Sequence, residues 1–152
     1  MKTLSNLLEL SENFTDAFDE ANDRFREWNN EKFDFVLENL EILKNTLSSN
    51  KFFESNLYID NDKASKSHIR LRSGKTIIPR SENDDEWFDI NFLQISNGKI
   101  YCYFLLNTTS GSNKKNIEIE VIDNLDELDR EKIIDIVYKG LENYKKYSYL
   151  FI

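Results

Sequence analysis

Residues 14–41 read FTDAFDEANDRFREWNNEKFDFVLENLE, and the spacing inside this stretch decides the first third of the fold. Phe14, Phe18, Ala21, Phe25, Trp28, Val36 and Leu40 make an apolar track, within which Phe14, Phe25, Val36 and Leu47 recur every eleven residues, close to three helical turns. Carboxylates follow a second track through Asp16, Glu20, Asp23, Glu27, Glu31, Asp34, Glu38 and Glu41, each three or four residues from the next. Phe14, Phe18 and Phe25 stand two residues before Asp16, Glu20 and Glu27. That offset is about 200° of helical rotation, so the two tracks occupy opposite faces. Toward the start of the chain both continue, with Leu4, Leu7 and Leu8 on one side and Glu9 and Glu12 on the other. The spacing predicts a helix from about residue 4 to residue 47.

Two physical consequences follow from such a helix. Like charges at this spacing oppose it by a few tenths of a kcal/mol per contact, roughly 2–4 kcal/mol along the whole ladder. The acidic face therefore either simply meets water or is kept for a positively charged partner. A straight helix of this length is about 66 Å long, against a domain diameter of roughly 40 Å for a radius of gyration near 15 Å. It overhangs its own domain and invites a second chain, so a homodimer is among the expectations. The apolar track lapses at Asn29-Asn30-Glu31-Lys32, where neither Gly nor Pro occurs and the acidic ladder passes through in phase. The expectation is one long helix, bent or broken near 29–30.

After Asn50 the period changes from helical to two. Phe53, Leu57 and Ile59 mark a first strand, and Ser67–Ser73 alternates, with Ile69 and Leu71 on one face and His68, Arg70 and Arg72 on the other. Lys75–Arg80 reads as a short extended piece whose Pro79 suits a sheet edge. Ser81–Glu86 reads as an acidic loop. Trp87–Ser96 and Lys99–Thr108 flank Asn97-Gly98, a strong hairpin signal. A two-residue turn there would set Ile95 opposite Ile100, Leu93 opposite Cys102 and Phe92 opposite Tyr103. Both hairpin faces would then be largely apolar, and the hairpin would be the centre of the sheet, covered on both sides. Thr108–Lys115 is a connection containing Ser-Gly-Ser, and Ile117, Ile119 and Val121 make a last strand. Helical spacing returns from Asp123 to about Tyr147, followed by the apolar tail Ser148–Ile152. The chain 1–152 thus reads as a single α+β domain: long helix, antiparallel meander of about six strands, C-terminal helix.

Composition narrows the function. The net charge is −8 with charged residues at 32%, and its sign alternates by segment: −6 over 1–50, +4 over 51–80, −5 over 81–98, +3 over 99–115 and −4 over 116–152. Such a field repels nucleic acid and anionic membrane alike. Cys102 is the only cysteine, so no intramolecular disulfide forms. The first residues lead into a polar amphipathic run rather than a signal-peptide core, and no apolar stretch approaches the roughly 20 residues that span a bilayer. A cytoplasmic protein is expected. The richness in Asn, Lys and Ile fits an AT-rich genome, bacterial or phage.

Familiar chemical motifs do not close. Gly74-Lys75-Thr76 resembles the end of a phosphate-binding loop, but Ile69 stands where the first glycine belongs and a strand follows. Asp60-Asn61-Asp62 resembles the start of an EF-hand loop, but Ser65 and Leu71 replace the needed Gly and Glu. Asp89 with Glu118-Ile119-Glu120 lacks the lysine of the nuclease pattern it approaches. No nucleophile stands near His68 in sequence, and Cys102 reads as a small buried hydrophobe. Neither a cofactor nor a metal is expected.

What the residues favour is binding. The expected function is that of a non-enzymatic, acidic protein that docks on and inhibits or neutralises a basic protein such as a toxin or a nucleic-acid enzyme, in the manner of an immunity protein. Charge complementarity would steer the encounter. Glu20, Asp23, Glu27, Glu31, Asp34 and Glu38 are the docking candidates, with Asp84, Asp85 and Glu86 as a second contact. His68, Arg70 and Arg72 form a candidate anion-binding stripe. One alternative is a dimeric chaperone or adaptor that uses the apolar track as a self-interface. Another is a small-ligand binder or enzyme with a pocket between sheet and helix, lined by Tyr101, Tyr103 and Trp87.

Overall fold

The computed structural model describes residues 1–54, 56–77, 85–111 and 114–151. Helix α1 (Leu4–Glu27) opens on a capping box, in which Thr3 Oγ1 accepts from the Asn6 amide at 3.3 Å and Asn6 Oδ1 accepts from the Thr3 amide at 2.9 Å. It runs without a break through a π-helical turn (Trp28–Lys32) into α2 (Phe33–Leu47). The irregularity expected near 29–30 is this wide turn. Its cause lies in the apolar track, which steps by three or four residues up to Trp28 and then by five to Phe33. A π turn absorbs one extra residue, so Phe33, Val36 and Leu40 land on the side already taken by Trp28. Trp28 and Phe33 meet edge to face at 5.8 Å, and Trp28 Nε1 donates to the Lys66 carbonyl at 2.5 Å.

The sheet is an antiparallel meander in the order β1 (Leu57–Asn61), β2 (His68–Ser73), β4 (Asp85–Gln94), β5 (Ile100–Thr108), β6 (Lys115–Ile122). These five strands replace the expected six. The remaining piece, β3 (Thr76–Ile77), prolongs the line of β2 along β4: Arg72 faces Asp89 while Thr76 faces Glu86. Four steps on one side match three on the other, so one extra residue is inserted, as in a β-bulge. Ser73 Oγ fills the gap in the ladder by accepting from the Phe88 amide at 2.8 Å. Pro79 and the greater part of the expected loop, 81–84, lie outside the described residues.

The central hairpin corrects the expected register by one residue. Ile95 donates to the Lys99 carbonyl at 3.0 Å, so the turn holds three residues rather than two, and Phe92 faces Cys102 while Leu93 faces Tyr101. Gly98 closes the turn at φ 81, the left-handed position that a three-residue hairpin loop requires. The same glycine touches α1, where a Cβ would stand 2.8 Å from the Ala21 carbonyl oxygen and from Arg24 Cβ.

Because register sets the face, this shift separates the two sides of the sheet. Phe88, Ile90 and Phe92 lie with Leu106, Phe104 and Cys102 in the buried core. Helix α3 (Arg130–Tyr147) and α2 cover that face. Asp129 caps α3 by accepting from the Lys132 amide at 2.8 Å, and Gly140 lies so close to the sheet that a Cβ would meet the Ile90 side chain at 2.6 Å. The expected cover on both faces is not found among the described residues. Trp87, Asp89, Asn91 and Leu93 lie opposite Asn107, Leu105, Tyr103 and Tyr101 on a face that no described helix covers. Antiparallel sheets tolerate this readily.

Candidate functional site

Three regions bear on function, and the largest is the free part of α1. Every residue from Leu4 to Glu20 is exposed, and α1 as a whole buries none. The body takes hold of the helix only from Ala21 onward. There the Arg24 guanidinium donates through Nη1 to the Asn97 carbonyl at 3.0 Å and through Nε to the Asp123 carbonyl at 2.9 Å. Beyond that clamp Leu4, Leu7, Leu8, Leu10, Phe14 and Phe18 stand in solvent.

The acidic residues face away from the apolar side in both halves of the helix, but the π turn that realigns the apolar track turns the ladder by about one residue, so Asp34 and Glu38 do not continue the line of Glu20 and Asp23. Glu20, Asp23, Glu31, Asp34 and Glu38 are exposed and Glu27 is half-buried. Three ladder members have partners on their own helix: Glu20 with Arg24 at 3.5 Å, Asp23 with Arg26 at 3.1 Å and Glu41 with Lys44 at 3.7 Å. Glu27, Glu31, Asp34 and Glu38 have no ion pair among the described residues. Burial pushes the Glu27 carboxyl up from its usual range, and the neighbouring Asp126 adds to the shift. Sequence spacing located the ladder but not Asp126, which joins it from the segment before α3. A shallow open depression of about 320 Å³ lies at this place, lined by Asp23, Arg26, Glu27, Asn30 and Glu31.

The expected second acidic contact does not assemble as a loop. Asp84 lies outside the described residues, while Asp85 and Glu86 begin β4. Asp85 is half-buried at the sheet end. Glu86 is fully buried and accepts from Tyr144 Oη at 3.0 Å, from the Tyr149 amide at 3.3 Å and from the Ser148 hydroxyl. It fastens the end of α3 to the sheet and cannot meet a partner. The tail beyond it, Tyr149–Phe151, forms a short 3-10 turn with Leu150 and Phe151 exposed.

On the open face of the sheet, His68, Arg70 and Arg72 project together as the alternation predicts, and neighbouring strands supply their counter-charges. Arg70 Nη1 meets Asp60 Oδ2 at 2.6 Å. Arg72 grips Asp89 through Nε at 2.6 Å and Nη2 at 3.3 Å, and reaches Asp60 at 3.4 Å. His68 Nε2 donates to Asn91 Oδ1 at 2.9 Å while its Nδ1 accepts from Arg70 Nη2 at 3.1 Å, the arrangement of a neutral ring. Burial, then the Arg70 charge, lowers the His68 pKa below its ordinary value. Burial raises the Asp89 pKa, with Arg72 opposing it. Two guanidinium groups, two carboxylates and a neutral imidazole sum to no net charge, so an incoming anion would have to displace Asp60 or Asp89. The alternation could show which face the cations take. It could not show Asp60 and Asp89, because the pairing of β1 and β4 with β2 is not local.

The aromatic candidates lie on the same open face. Tyr101 and Tyr103 stack at 4.8 Å, and Lys75 sits 5.3 Å from the Trp87 ring. They point away from the helices and so line no pocket between sheet and helix. Burial pushes the Cys102 thiol well up, away from the reactive thiolate. Among the described residues no group of three or more His, Cys, Asp or Glu could hold a metal ion, and no helix is long and apolar enough to cross a membrane. Comparison of the chain with protein-family models, with curated proteins and with solved structures finds no match.

Proposed function

We propose that the protein acts by binding rather than by catalysis, and that the acidic face of the long helix docks on a basic protein, which it inhibits or neutralises. The observation that carries this reading is the run Glu27, Glu31, Asp34 and Glu38: successive carboxylates on a rigid helix, anchored beneath by the core and left without ion-pair partners among the described residues. A helix backed by Trp28, Phe33, Val36 and Leu40 holds those charges in fixed positions, so a complementary cationic surface loses little side-chain and backbone freedom on meeting them.

The test is capture from a lysate of the native host, across a salt series, with the wild-type chain and with the variant E27K/E31K/D34K. The expected result is a basic protein retained by the wild type, released as salt rises, and absent from the variant. A partner held equally by both proteins at every salt concentration would overturn the proposal.

A further inference from the structure

We infer that the free half of α1 is a dimerisation arm: two copies of the chain pair through it as antiparallel helices. The inference concerns the apolar side of the helix and stands independently of the acidic face. Leu4, Leu7, Ser11, Phe14, Phe18 and Ala21 step alternately by three and four residues, the repeat that keeps one seam facing a neighbouring helix. Six large apolar residues here, Leu4, Leu7, Leu8, Leu10, Phe14 and Phe18, are between 52% and 74% exposed. If each gives up about 100 Å², two such arms bury on the order of 1,200 Å², where specific interfaces begin.

Three observations choose a second copy over a foreign helix. The first is length. The seam ends at Ala21, where the Asn97-Gly98 turn closes onto the helix. The exposed stretch before it, Leu4–Glu20, is matched in length by the same stretch of a second copy. The second is charge: Glu9, Glu12, Asp16 and Glu20 lie on the side away from the seam, while its flanks carry Leu8, Leu10, Thr15 and Ala17. Two copies can approach without setting carboxylates against each other, although each carries −8.

The third is self-complementarity. In an antiparallel pair Leu4 of one copy lies beside Ala21 of the other, Leu7 beside Phe18 and Ser11 beside Phe14. Two of these three layers set a small side chain against a large one, which is how facing positions fill space. Parallel pairing would instead set Ser11 on Ser11 between layers of large side chains, and would crowd both acidic bodies at one end. The antiparallel pair is closed and two-fold, with the bodies at opposite ends.

The experiment is sedimentation equilibrium of the full chain over a wide concentration range, at low and high salt, with Phe14→Glu/Phe18→Glu as the variant. A spin label on Ser5→Cys reads direction, since the native Cys102 is buried. The expected result is a dimer of two 18.1 kDa chains that persists at high salt and becomes a monomer in the variant, whose body still unfolds cooperatively. The two labels should lie about 25 Å apart. A chain that stays monomeric, a dimer that survives both glutamates or dissolves in salt, or labels near 10 Å as in parallel pairing would each overturn the inference. Salt separates this outcome from that of the acidic face, whose partner is released as salt rises.

Discussion

The two halves of the long helix carry one amphipathic pattern and meet different surroundings. From Phe33 to Leu47 the apolar side buries Phe33, Val36 and Leu40 against the sheet; from Leu4 to Glu20 the same kind of side buries nothing. Pattern alone therefore specifies a helix and its faces, and the neighbouring chain decides what each face is for. Where the sheet lies beneath, the apolar stripe becomes core. Where the helix outruns the sheet, it stays exposed, and the proposed pairing of two arms rests on that exposed stripe.

The largest effect that could break this contrast comes from matched truncations. Leu40→Ala should lower the stability of the body by about 2–5 kcal/mol, as a cavity in a closed core does. Phe14→Ala should change it by less than about 0.5 kcal/mol under dilute conditions where the arm is unpaired. Urea denaturation followed by tryptophan fluorescence reads both, and similar losses from the two would erase the distinction between the halves. Next in size is the junction. Gly98→Ala must hold alanine at a left-handed φ of 81 and push its Cβ against Ala21 and Arg24. It should destabilise by about 1–3 kcal/mol, and an unchanged midpoint would show that the hairpin does not clamp the helix.

The smallest effect sits at Glu27, where the halves meet. Its carboxyl has a folded pKa above the ordinary value of 4.5, so the folded chain holds that proton more tightly than the unfolded chain does. Stability from this group is greatest at low pH and declines as pH rises from 4.5 through the folded pKa. Glu27→Gln should therefore gain a few tenths of a kcal/mol at neutral pH, with the gain vanishing below the ordinary carboxylate range. Thermal melts at two pH values measure it. A gain that grew on acidification would have the wrong sign.

Much of this was legible in the sequence because helical and strand periods are local. The two tracks of the long helix, the alternation of His68, Arg70 and Arg72, and the turn at Asn97-Gly98 all followed from spacing within a few residues. What spacing could not carry was pairing. The hairpin takes a three-residue turn closed by Gly98 at φ 81, and α1 packs over that turn, a contact across some seventy positions. That one-residue shift moved Asp89 and Asn91 to the open face and overturned the expected cover on both sides of the sheet. Glu86, read as part of an acidic loop, is fixed instead by Tyr144 and Ser148 from the far end of the chain. The π turn was half visible, since the five-residue step from Trp28 to Phe33 is in the sequence, although only the sheet beneath shows why the extra residue must be absorbed.

The most direct test of the contrast is amide hydrogen exchange along Leu4–Leu47 at a series of protein concentrations. The account predicts that amides from Trp28 to Leu47 stay protected at every concentration, while those from Leu8 to Glu20 gain protection only as concentration rises and the arms pair. Protection of the arm equal to that of Phe33–Leu47 at the highest dilution would contradict it, because the free half would then stand without a partner.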